Sequence, residues 1–478
     1  MTGRTKIVAT IGPASDTPEV LDELLRAGVD VVRLNLSHGP IEQHLVRLQA
    51  VRDAAARTGL LVAVLGDLPG PKIRSGKFPD EGAFWAEGDI VQLQVGNDPS
   101  TSTLVNVDYP TLLEDVQPGE HCVIGDGAIS LMVTAIADRK VNCVVVSGGR
   151  VAGRPGVHLP SEHSQLATPT AQDLELAVQM TAAGVDFLAL SFVRHGADIV
   201  RLRAAVGDDG PLIVAKIETA AAIESLDAIL EEADAVMVAR GDLGIDCPLE
   251  DVPHLQKRII RTCVERGVPV ITATQMLESM ITSPAPTRAE VSDIANAVFD
   301  GTDAIMLSAE TAIGHDPALV VRTMARIAER AEADAAYRQW ANRLGRLQRE
   351  RETEFVDRIT YAITHAAYQA ATDIGVSAIL CCTRSGRTAL AMASFRPEAT
   401  MIGLSPSLKT VKAMALSWGV VPLLANVYTS TDEMVWFAVE SALAARQITH
   451  GDTVLVLAGA PDRSTGASTD VLRVVSVA

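Results

Sequence analysis

The chain has 478 residues, 48% of them hydrophobic, and a formal net charge of −18 at pH 7. A chain of this length should form about three domains, and this apolar content supports large cores, which excludes an intrinsically disordered protein. The acidic balance argues against nucleic acid as the main partner, because phosphate backbones are held by an excess of Lys and Arg. Phosphorylated metabolites are not excluded, since a few local cations are enough to bind them.

The six cysteines are scattered, without a CxxC pair or a His/Cys cluster at zinc-ligand spacing, which favours a reducing, cytoplasmic setting. The chain enters a strand-like run at Lys6 without the hydrophobic region of a signal peptide. No apolar stretch reaches the roughly 20 residues of a membrane helix. We therefore expect a soluble cytoplasmic protein that binds no membrane.

Eight short apolar runs occur between residues 5 and 330, and each ends at or near a residue suited to chemistry. In chain order they are Lys6–Thr10, Val31–Asn35, Leu61–Asp67, Phe187–Ser191, Leu212–Glu218, Ala235–Asp242, Val270–Thr274 and Ala304–Ser308. Continuous apolar runs of this kind are typical of parallel strands buried on both faces. Amphipathic helical stretches separate most of them, so the pattern predicts a (β/α)8 barrel.

The active site of such a barrel lies at the carboxyl ends of its strands. At this rim we expect the following side chains to meet: Arg33, Asn35, Asp67, Lys216, Glu218, Asp242, Thr274 and Ser308. A rim with so many charged and hydroxyl groups predicts an enzyme.

After residue 70 the pattern changes to short alternating runs bounded by Gly and Pro turns, such as Asp89–Val95, Ala128–Val133 and Asn142–Val146. The alternation predicts a small β-barrel domain at residues 71–156, inserted between strand three and its helix. The barrel would then comprise residues 1–70 and 157–335. An inserted domain at the rim can act as a lid that excludes water, and a passive β-module is the alternative.

From about residue 356 the chain alternates again between helices and strands, with strands at Ala378–Cys382, Met401–Leu404 and Thr453–Leu457. This alternation predicts a separate three-layer α/β domain at residues 336–478.

A polar turn with two guanidiniums follows the first of these strands and leads into a helix. Hydroxyls, backbone N–H groups and cations in such a turn can form a phosphate cradle. The candidate effector residues are Thr383, Arg384, Ser385, Gly386, Arg387 and Thr388. The later turn Ala458–Pro461, with Arg463, Ser464 and Thr465, could complete the cradle. An ordinary capped helix is the alternative.

Lys216 and Glu218 at the end of strand five point to the same side, because side chains alternate along a strand. Asp242 follows strand six, so Glu218 and Asp242 can share one divalent ion that keeps open positions for substrate oxygens. Mg²⁺ prefers such a site, and Mn²⁺ is an alternative. Lys216 would supply positive charge where charge develops during phosphoryl transfer. A buried structural Lys–Glu ion pair is the competing interpretation.

Other rim residues have weaker signals. The backbone N–H groups near Gly241 lie at a predicted helix start, which suits a carboxylate or phosphate. Arg33 and Arg74 are candidate phosphate clamps because of the planar guanidinium fork, although a rim Arg is often a surface ion pair. Thr274 and Ser308 are candidate proton relays or, alternatively, helix caps.

Seven segments occur in a fixed order over nearly the whole chain: 5–15 (TKIVATIGPAS), 33–39 (RLNLSHG), 216–218 (KIE), 239–244 (ARGDLG), 273–280 (ATQMLESM), 286–290 (PTRAE) and 306–312 (MLSAETA). Together they resemble the pyruvate kinase family. The resemblance implies phosphoryl transfer from phosphoenolpyruvate to ADP, giving pyruvate and ATP in glycolysis. It also implies a homotetramer and a C-terminal effector loop for sugar phosphates or AMP.

The resemblance also implies residue roles. Lys216 and Arg33 would contact the transferring phosphoryl group, and Glu218 and Asp242 would hold Mg²⁺. Protonation of the enolate would involve Thr274 and Ser308 through water. The remaining roles are substrate binding by Gly241, Asp242 and Thr274, and nucleotide binding by Asn35, His38 and Arg74.

One departure from the family concerns potassium. Many members hold this ion near Asn35, Ser37, Asp67 and the carbonyl of Leu68, and carry Glu in the Pro-x-Ile-Arg position. This chain has Lys72 there, whose ammonium can supply the positive charge of the ion. We therefore predict potassium-independent activity; the alternative is that Lys72 points into solvent and potassium still matters.

A second departure lies in the lid, where the family usually presents Lys just before Gly-Val-Asn-Leu-Pro. This chain has Pro155 in that place, within Arg154-Pro155-Gly156-Val157-His158-Leu159-Pro160. Arg154 is one position earlier, and the following Pro restricts its backbone. Arg154 is the candidate substitute among the nucleotide-binding residues, a role left open here, and we predict a high Michaelis constant for ADP, that is, weak binding.

Two other functions stay open at this point. A Mg²⁺-dependent barrel aldolase acting on a 2-oxo acid would also suit Lys216 with Glu218 and Asp242, although the inserted lid and Arg74 disfavour it. A metabolite-sensing paralogue that has lost turnover is supported by Pro155 alone.

Overall fold

The computed structural model of the chain describes residues 3–125, 127, 129–159, 166–335, 340–341, 343–345, 347, 355–427, 430–459 and 469–478. Its strands, in chain order, are β1 Lys6–Thr10, β2 Val31–Asn35, β3 Ala63–Asp67, β4 Ala83–Trp85, β5 Ile90–Val95, β6 Leu104–Val107, β7 His121–Ile124, β8 Ile129–Ala137, β9 Lys140–Ser147, β10 Gly149–Val151, β11 Val157–His158, β12 Phe187–Leu190, β13 Leu212–Ile217, β14 Ala235–Ala239, β15 Val270–Ala273, β16 Ala304–Leu307, β17 Ala378–Cys382, β18 Thr400–Ser405, β19 Val420–Leu424, β20 Thr453–Ala458 and β21 Val471–Ser476.

The α-helices are α1 Pro18–Ala27, α2 Ile41–Thr58, α3 Leu112–Asp115, α4 Ala171–Ala182, α5 Gly196–Val206, α6 Ala220–Glu224, α7 Leu226–Glu232, α8 Arg240–Asp246, α9 Val252–Arg266, α10 Arg288–Asp300, α11 Ala309–Ala312, α12 Pro317–Asp334, α13 Phe355–Ile374, α14 Arg387–Ala393, α15 Leu408–Ala413 and α16 Thr431–Ala444. Short 3-10 helices lie at Leu249–Asp251, Glu278–Ile281 and Met414–Leu416. Among the described residues, no helix combines the length and the apolar character needed to cross a membrane.

The predicted (β/α)8 barrel is confirmed. Strands β1, β2, β3, β12, β13, β14, β15 and β16 pair in parallel, and β16 closes the ring onto β1. The sixth strand is shorter than its apolar run, because helix α8 begins at Arg240 and turns the following Gly and Asp off the strand end.

Local sequence signals explain where the barrel helices begin and end. The hydroxyl of Thr17 caps α1, and Gly28 ends that helix with a φ of 111°, a conformation that favours glycine. Thr287 and Glu290 form the reciprocal capping box of α10, as their spacing predicts.

Side chains that point into the barrel are apolar along most of each strand and polar at the carboxyl end. The interior cluster consists of Val8, Val31, Ala63, Leu65, Phe187, Ala189, Val214, Ala235, Met237, Ile271, Ala273, Ala304 and Met306, joined by Ala415 and Leu416 of the C-terminal domain. Two residues further along the strands, the same face carries Thr10, Arg33, Asp67, Ser191, Lys216 and Ser308. The period of two therefore places these polar groups together at the carboxyl rim.

The insertion between β3 and α4 has a core of its own around Trp85, whose ring meets Phe78 edge-on at 5.8 Å between centroids. Its main sheet has the order β11-β7-β8-β9-β5-β6, and β10 pairs with β4 separately. The sheet includes Val157–His158, just beyond the predicted boundary at residue 156. Ala128, part of a predicted strand, lies outside the described residues.

The C-terminal domain has one sheet of order β19-β18-β17-β20-β21, parallel except for β21. Separate apolar clusters cover its two faces, as in a three-layer α/β domain. At the amino end of the barrel, Arg396 donates a hydrogen bond to Asp303 (Nη1 to Oδ1, 2.9 Å) and stacks on Trp418. The domain thus closes the end of the barrel opposite the rim.

Candidate active site

Two buried cations share one carboxylate at the rim. Nε of Arg33 donates to Oδ2 of Asp67 at 2.7 Å, and Nζ of Lys216 lies 3.3 Å from Oδ1 of the same residue. Asp67 is 1% exposed, and Arg33 and Lys216 are each 9% exposed. Burial alone would raise the pKa of Asp67, but Lys216 and Arg33 hold it below its usual value. The carboxylate therefore stays charged and fixes both cations.

Lys216 has two further contacts. Its Nζ donates to Oγ of Ser191 at 2.7 Å and lies 2.8 Å from Oε1 of Glu218. Burial would lower the pKa of Lys216, but Asp67, Glu218 and Asp242 outweigh it and raise that pKa. The lysine is therefore a permanent cation, unsuited to act as a base near neutral pH. Ser191 ends the predicted fourth strand, and that position was the signal from which its role could have been inferred.

Glu218 is buried at 1% exposure, and its two oxygens differ. Oε2 accepts the backbone N–H of Phe192 at 2.6 Å. Oε1 accepts no well-aligned hydrogen bond from the described residues, although the Lys216 ammonium lies close to it. Burial raises the pKa of Glu218, and the nearby Asp242 adds to the effect. Such a carboxylate fits a divalent cation, which would offset the cost of burying its charge beside Asp242.

Asp242, the second carboxylate, is half-buried at the start of α8 and lines the same cleft as Glu218. No group of three or more His, Cys, Asp or Glu side chains arranged for a metal was found among the described residues.

Thr274 and Gly241 face each other across the rim. The Gly241 N–H donates to Oγ1 of Thr274 at 3.0 Å, and that hydroxyl donates to the carbonyl of Ala273 at 2.6 Å. Thr274 has a φ of 69° and Gln275 a φ of 54°, and such strain in non-glycine residues is concentrated at functional sites. Both donors are used within the protein, and a carboxylate could bind them by replacing their present acceptors.

Ser308 follows β16, and its N–H donates to Oε2 of Glu310 at 2.6 Å. Glu310 is buried, and its Oε1 accepts the N–H of Leu277 at 3.1 Å. Glu310 thus ties the ends of strands β15 and β16 together. Sequence reasoning did not single it out, because only its two backbone partners reveal this role.

A cleft of about 610 Å³ separates the rim from the inserted domain. The barrel contributes His38, Glu218 and Asp242, and the inserted segment contributes Lys72, Arg74, Glu120, His121, Val123 and His158. Burial lowers the pKa of His38, and Lys72, Arg74 and Arg33 lower it further. The part of the cleft around His38, Lys72 and Arg74, called the cationic wall below, therefore has a positive potential suited to phosphates.

The structure does not bring the Arg154 side chain into this cleft. Its Nε donates to the carbonyl of Ser75 at 3.3 Å, and it is not among the described residues that line the cleft. Its own carbonyl accepts Nη1 of Arg74 at 3.2 Å. Arg154 therefore supports Arg74 through its backbone.

The oxygens of Asn35, Asp67 and Leu68, three of the four residues that the resemblance assigns to potassium, already have donors. Oδ1 of Asn35 accepts the N–H of Ser37 at 3.3 Å, and the carbonyl of Leu68 accepts Oγ of Ser191 at 2.7 Å. Lys72 is exposed, lines the cleft and forms no ion pair with any described residue. The structure does not bring it into contact with Asp67.

The candidate effector loop lies in the C-terminal domain between β17 and α14. Oγ1 of Thr383 accepts the N–H of Gly386 at 2.9 Å, and the hydroxyls of Thr388 and Thr469 are hydrogen-bonded at 2.7 Å. The three remaining loop residues, Arg384, Ser385 and Arg387, are exposed. The turn proposed to complete the cradle lies outside the described residues, apart from its first two positions.

Comparison with known proteins covers nearly the whole chain. The family model of the pyruvate kinase barrel domain matches residues 2–321, and that of the pyruvate kinase alpha/beta domain matches residues 361–475. A pyruvate kinase of Methylorubrum extorquens is 40% identical, over 99% of this chain and 97% of the relative. Those of Geobacillus stearothermophilus (40% identical, 99% of this chain, 80% of the relative) and Clostridium acetobutylicum (38% identical, 98% of this chain, 99% of the relative) are similarly related. The similarity includes the barrel, the insertion and the C-terminal domain.

Proposed function

The chain belongs to the pyruvate kinase family, and we propose that the barrel rim transfers the phosphoryl group of phosphoenolpyruvate to ADP, giving pyruvate and ATP. The observation that carries this proposal is the buried group of Arg33, Asp67, Lys216 and Glu218, which forms a charged layer at the rim above an apolar barrel interior. Burying four charges is costly unless they serve one another or a ligand. A bound phosphoryl group and its divalent cation would be such a ligand.

Arg33 and Lys216 would stabilise the phosphoryl group in transfer. Both are held rigidly by Asp67 before substrate arrives, so little reorganisation is needed at the moment of reaction. Phosphoryl transfer depends mainly on positioning and charge neutralisation, with little covalent chemistry for the protein. Asp67 would act by orienting the two cations.

Glu218 and Asp242 would hold Mg²⁺, with Mn²⁺ as an alternative. The burial of Glu218 beside Asp242 and the raised pKa of its carboxylate support the assignment. When bound, the ion supplies Lewis-acid neutralisation of phosphoryl and enolate oxygens.

Transfer of the phosphoryl group leaves the enolate of pyruvate, whose carbon requires a proton. Gly241, Asp242 and Thr274 would hold the carboxylate end of the substrate, which would replace the present acceptors of the Gly241 N–H and the Thr274 hydroxyl. Thr274 and Ser308 would pass the proton through water. Thr274 follows β15 and Ser308 follows its neighbour β16, which supports this shared role.

The nucleotide phosphates would occupy the cationic wall of the cleft, beside Asn35, His38 and Arg74. Arg154 would contribute through its carbonyl, which orients the Arg74 guanidinium. Closure of the inserted domain over the cleft would exclude water during transfer.

Activity would not require potassium. The oxygens of Asn35, Asp67 and Leu68 already accept hydrogen bonds or ion pairs, and Lys72 adds a positive charge at the same end of the cleft. Coulomb interaction acts through space, so Lys72 can replace the charge of the ion without direct contact.

We further propose a homotetramer in the cytoplasm, as the resemblance implies, with a phosphorylated effector at residues 383–388. Exposed Arg384 and Arg387 support anion binding there. Such an effector would have to bind two states of the enzyme with different affinity.

A lactate-dehydrogenase-coupled assay with phosphoenolpyruvate, ADP and Mg²⁺ tests the function. We expect NADH oxidation that depends on all three components. Pyruvate release without ADP would favour aldolase chemistry, and binding of phosphoenolpyruvate without turnover would favour a metabolite sensor. Either result would overturn the proposal.

A further inference from the structure

We propose that Arg240 is a positioning residue that holds the Thr274 peptide in its strained conformation. It thereby fixes the proposed substrate-carboxylate site at Gly241, Asp242 and Thr274, called the substrate seat below. This inference rests on the proposed role of Thr274 and extends it to a residue that contacts no substrate. Arg240 directly precedes Gly241 and Asp242, yet it is not among the described residues that line the cleft.

The Arg240 side chain, only 12% exposed, runs sideways beneath the loop that follows β15. Its Nε donates to the carbonyl of Ala273 at 3.1 Å, and its Nη2 donates to the carbonyl of Thr274 at 2.5 Å. One planar fork therefore holds two successive carbonyls. Lysine cannot reproduce this geometry, because its ammonium is a single point of charge.

The peptide that Arg240 holds includes Thr274, whose backbone is strained. Thr274 is β-branched and has a positive φ of 69°, a conformation that costs on the order of 1–3 kcal/mol unless the surroundings impose it. The same residue presents Oγ1 to the Gly241 N–H. If the peptide relaxed, the hydroxyl would leave the point at which a carboxylate is received.

The guanidinium is itself anchored from the other side. Its Nη1 lies 2.8 Å from Oδ1 of Asp293 on α10 and 3.3 Å from Oε1 of Gln256 on α9. Asp293 neutralises the charge of Arg240, so Arg240 adds little electrostatic attraction for the substrate. Its contribution is therefore geometric: it joins two barrel helices to the ends of strands β14 and β15.

This arrangement predicts a loss specific to one substrate. In Arg240→Lys we expect kcat/KM for phosphoenolpyruvate to fall by about tenfold or more, because displacements of about 1 Å at a reacting group can cost up to 10²-fold. The KM for ADP should stay within about twofold, since the nucleotide wall lies elsewhere in the cleft. Asp293→Asn should give the same pattern at a smaller size.

A matched control is Arg203→Lys. Arg203 also pairs with a carboxylate and a carbonyl, those of Asp234 (2.9 Å) and Glu232 (2.9 Å), but at the amino end of β14. This variant should leave both kinetic constants unchanged.

A double-mutant cycle with Thr274→Ala decides whether Arg240 acts through Thr274. If it does, Arg240→Lys should cost much less in the Thr274→Ala background than in the wild type. Additive losses, an unchanged kcat/KM for phosphoenolpyruvate, or parallel losses for both substrates would overturn the inference. If Arg240→Lys fails to fold, Asp293→Asn is judged by the same criteria. If instead Thr274→Ala alone has no effect, the proposed seat itself is wrong.

Discussion

The ammonium of Lys216 lies 3.3 Å from Oδ1 of Asp67, although strand β12 separates their two strands in the barrel. The two side chains meet only because both point into the barrel at the same height. This contact makes the charge of Asp67 part of the site, and Arg33 depends on the same carboxylate.

Asp67→Asn should therefore destabilise the protein. The substitution keeps the shape but leaves two buried cations with less compensation, so we expect a loss of about 3 kcal/mol in the free energy of unfolding. Urea unfolding measures it. Asp53→Asn, an exposed change on α2, should stay within about 0.5 kcal/mol. Equal midpoints for both variants would contradict a structural role for the Asp67 charge.

Lys216→Met should remove the cation that we propose to contact the phosphoryl group while retaining the length of the side chain. We expect kcat to fall by about 10²-fold or more, as when one donor to a developing charge is lost. The coupled assay measures it, with circular dichroism to verify folding. A variant with normal kcat would mean that the pair with Glu218 is only structural.

The potassium prediction has a direct test in Lys72→Glu. The wild type should gain less than about tenfold on addition of about 100 mM potassium at constant ionic strength. In the variant, a carboxylate replaces the ammonium, so activity should fall without potassium and recover with it. Lys77→Glu, a reversal at an exposed lysine of the insertion, is the control. A wild type that gains more than tenfold would refute the idea.

Pro155 stands where the resemblance places a lysine of the lid, so introducing that lysine should tighten ADP binding. Pro155→Lys would restore a cation near the cleft, and its carbonyl could still accept the Ser75 N–H. We expect the KM for ADP to fall by about tenfold, comparable to one charge-assisted hydrogen bond. Arg154→Ala should change this KM by less than about twofold, because its side chain faces the Ser75 carbonyl. A large rise in Arg154→Ala would show that this arginine reaches the nucleotide.

Much of the barrel follows from sequence because buried parallel strands read as continuous apolar runs. The strand ends then locate Arg33, Lys216 and Glu218 at one rim without knowledge of any contact. Edge strands of the C-terminal sheet were harder to identify. β19 contains Pro422, and β21 is largely exposed, so neither has the pattern of a buried strand.

Side-chain direction was the other limit of sequence reasoning. Arg154 and Arg240 are both arginines near the site, yet one turns to the Ser75 carbonyl and the other to two carbonyls beneath Thr274. Long side chains have many rotamers, and tertiary contacts choose among them. The shared use of Asp67 by two cations could not be read from the sequence either, because it joins β2 and β3 to the distant strand β13.

The central claim is that Glu218, with Asp242, serves a divalent cation at the phosphoryl group, and the kcat of Glu218→Gln tests it most directly. The substitution preserves the volume and the acceptor for the Phe192 N–H but removes the charge. We predict that kcat in the coupled assay falls by at least about 10²-fold at saturating Mg²⁺. A folded Glu218→Gln enzyme that turns over at the wild-type rate would contradict the claim.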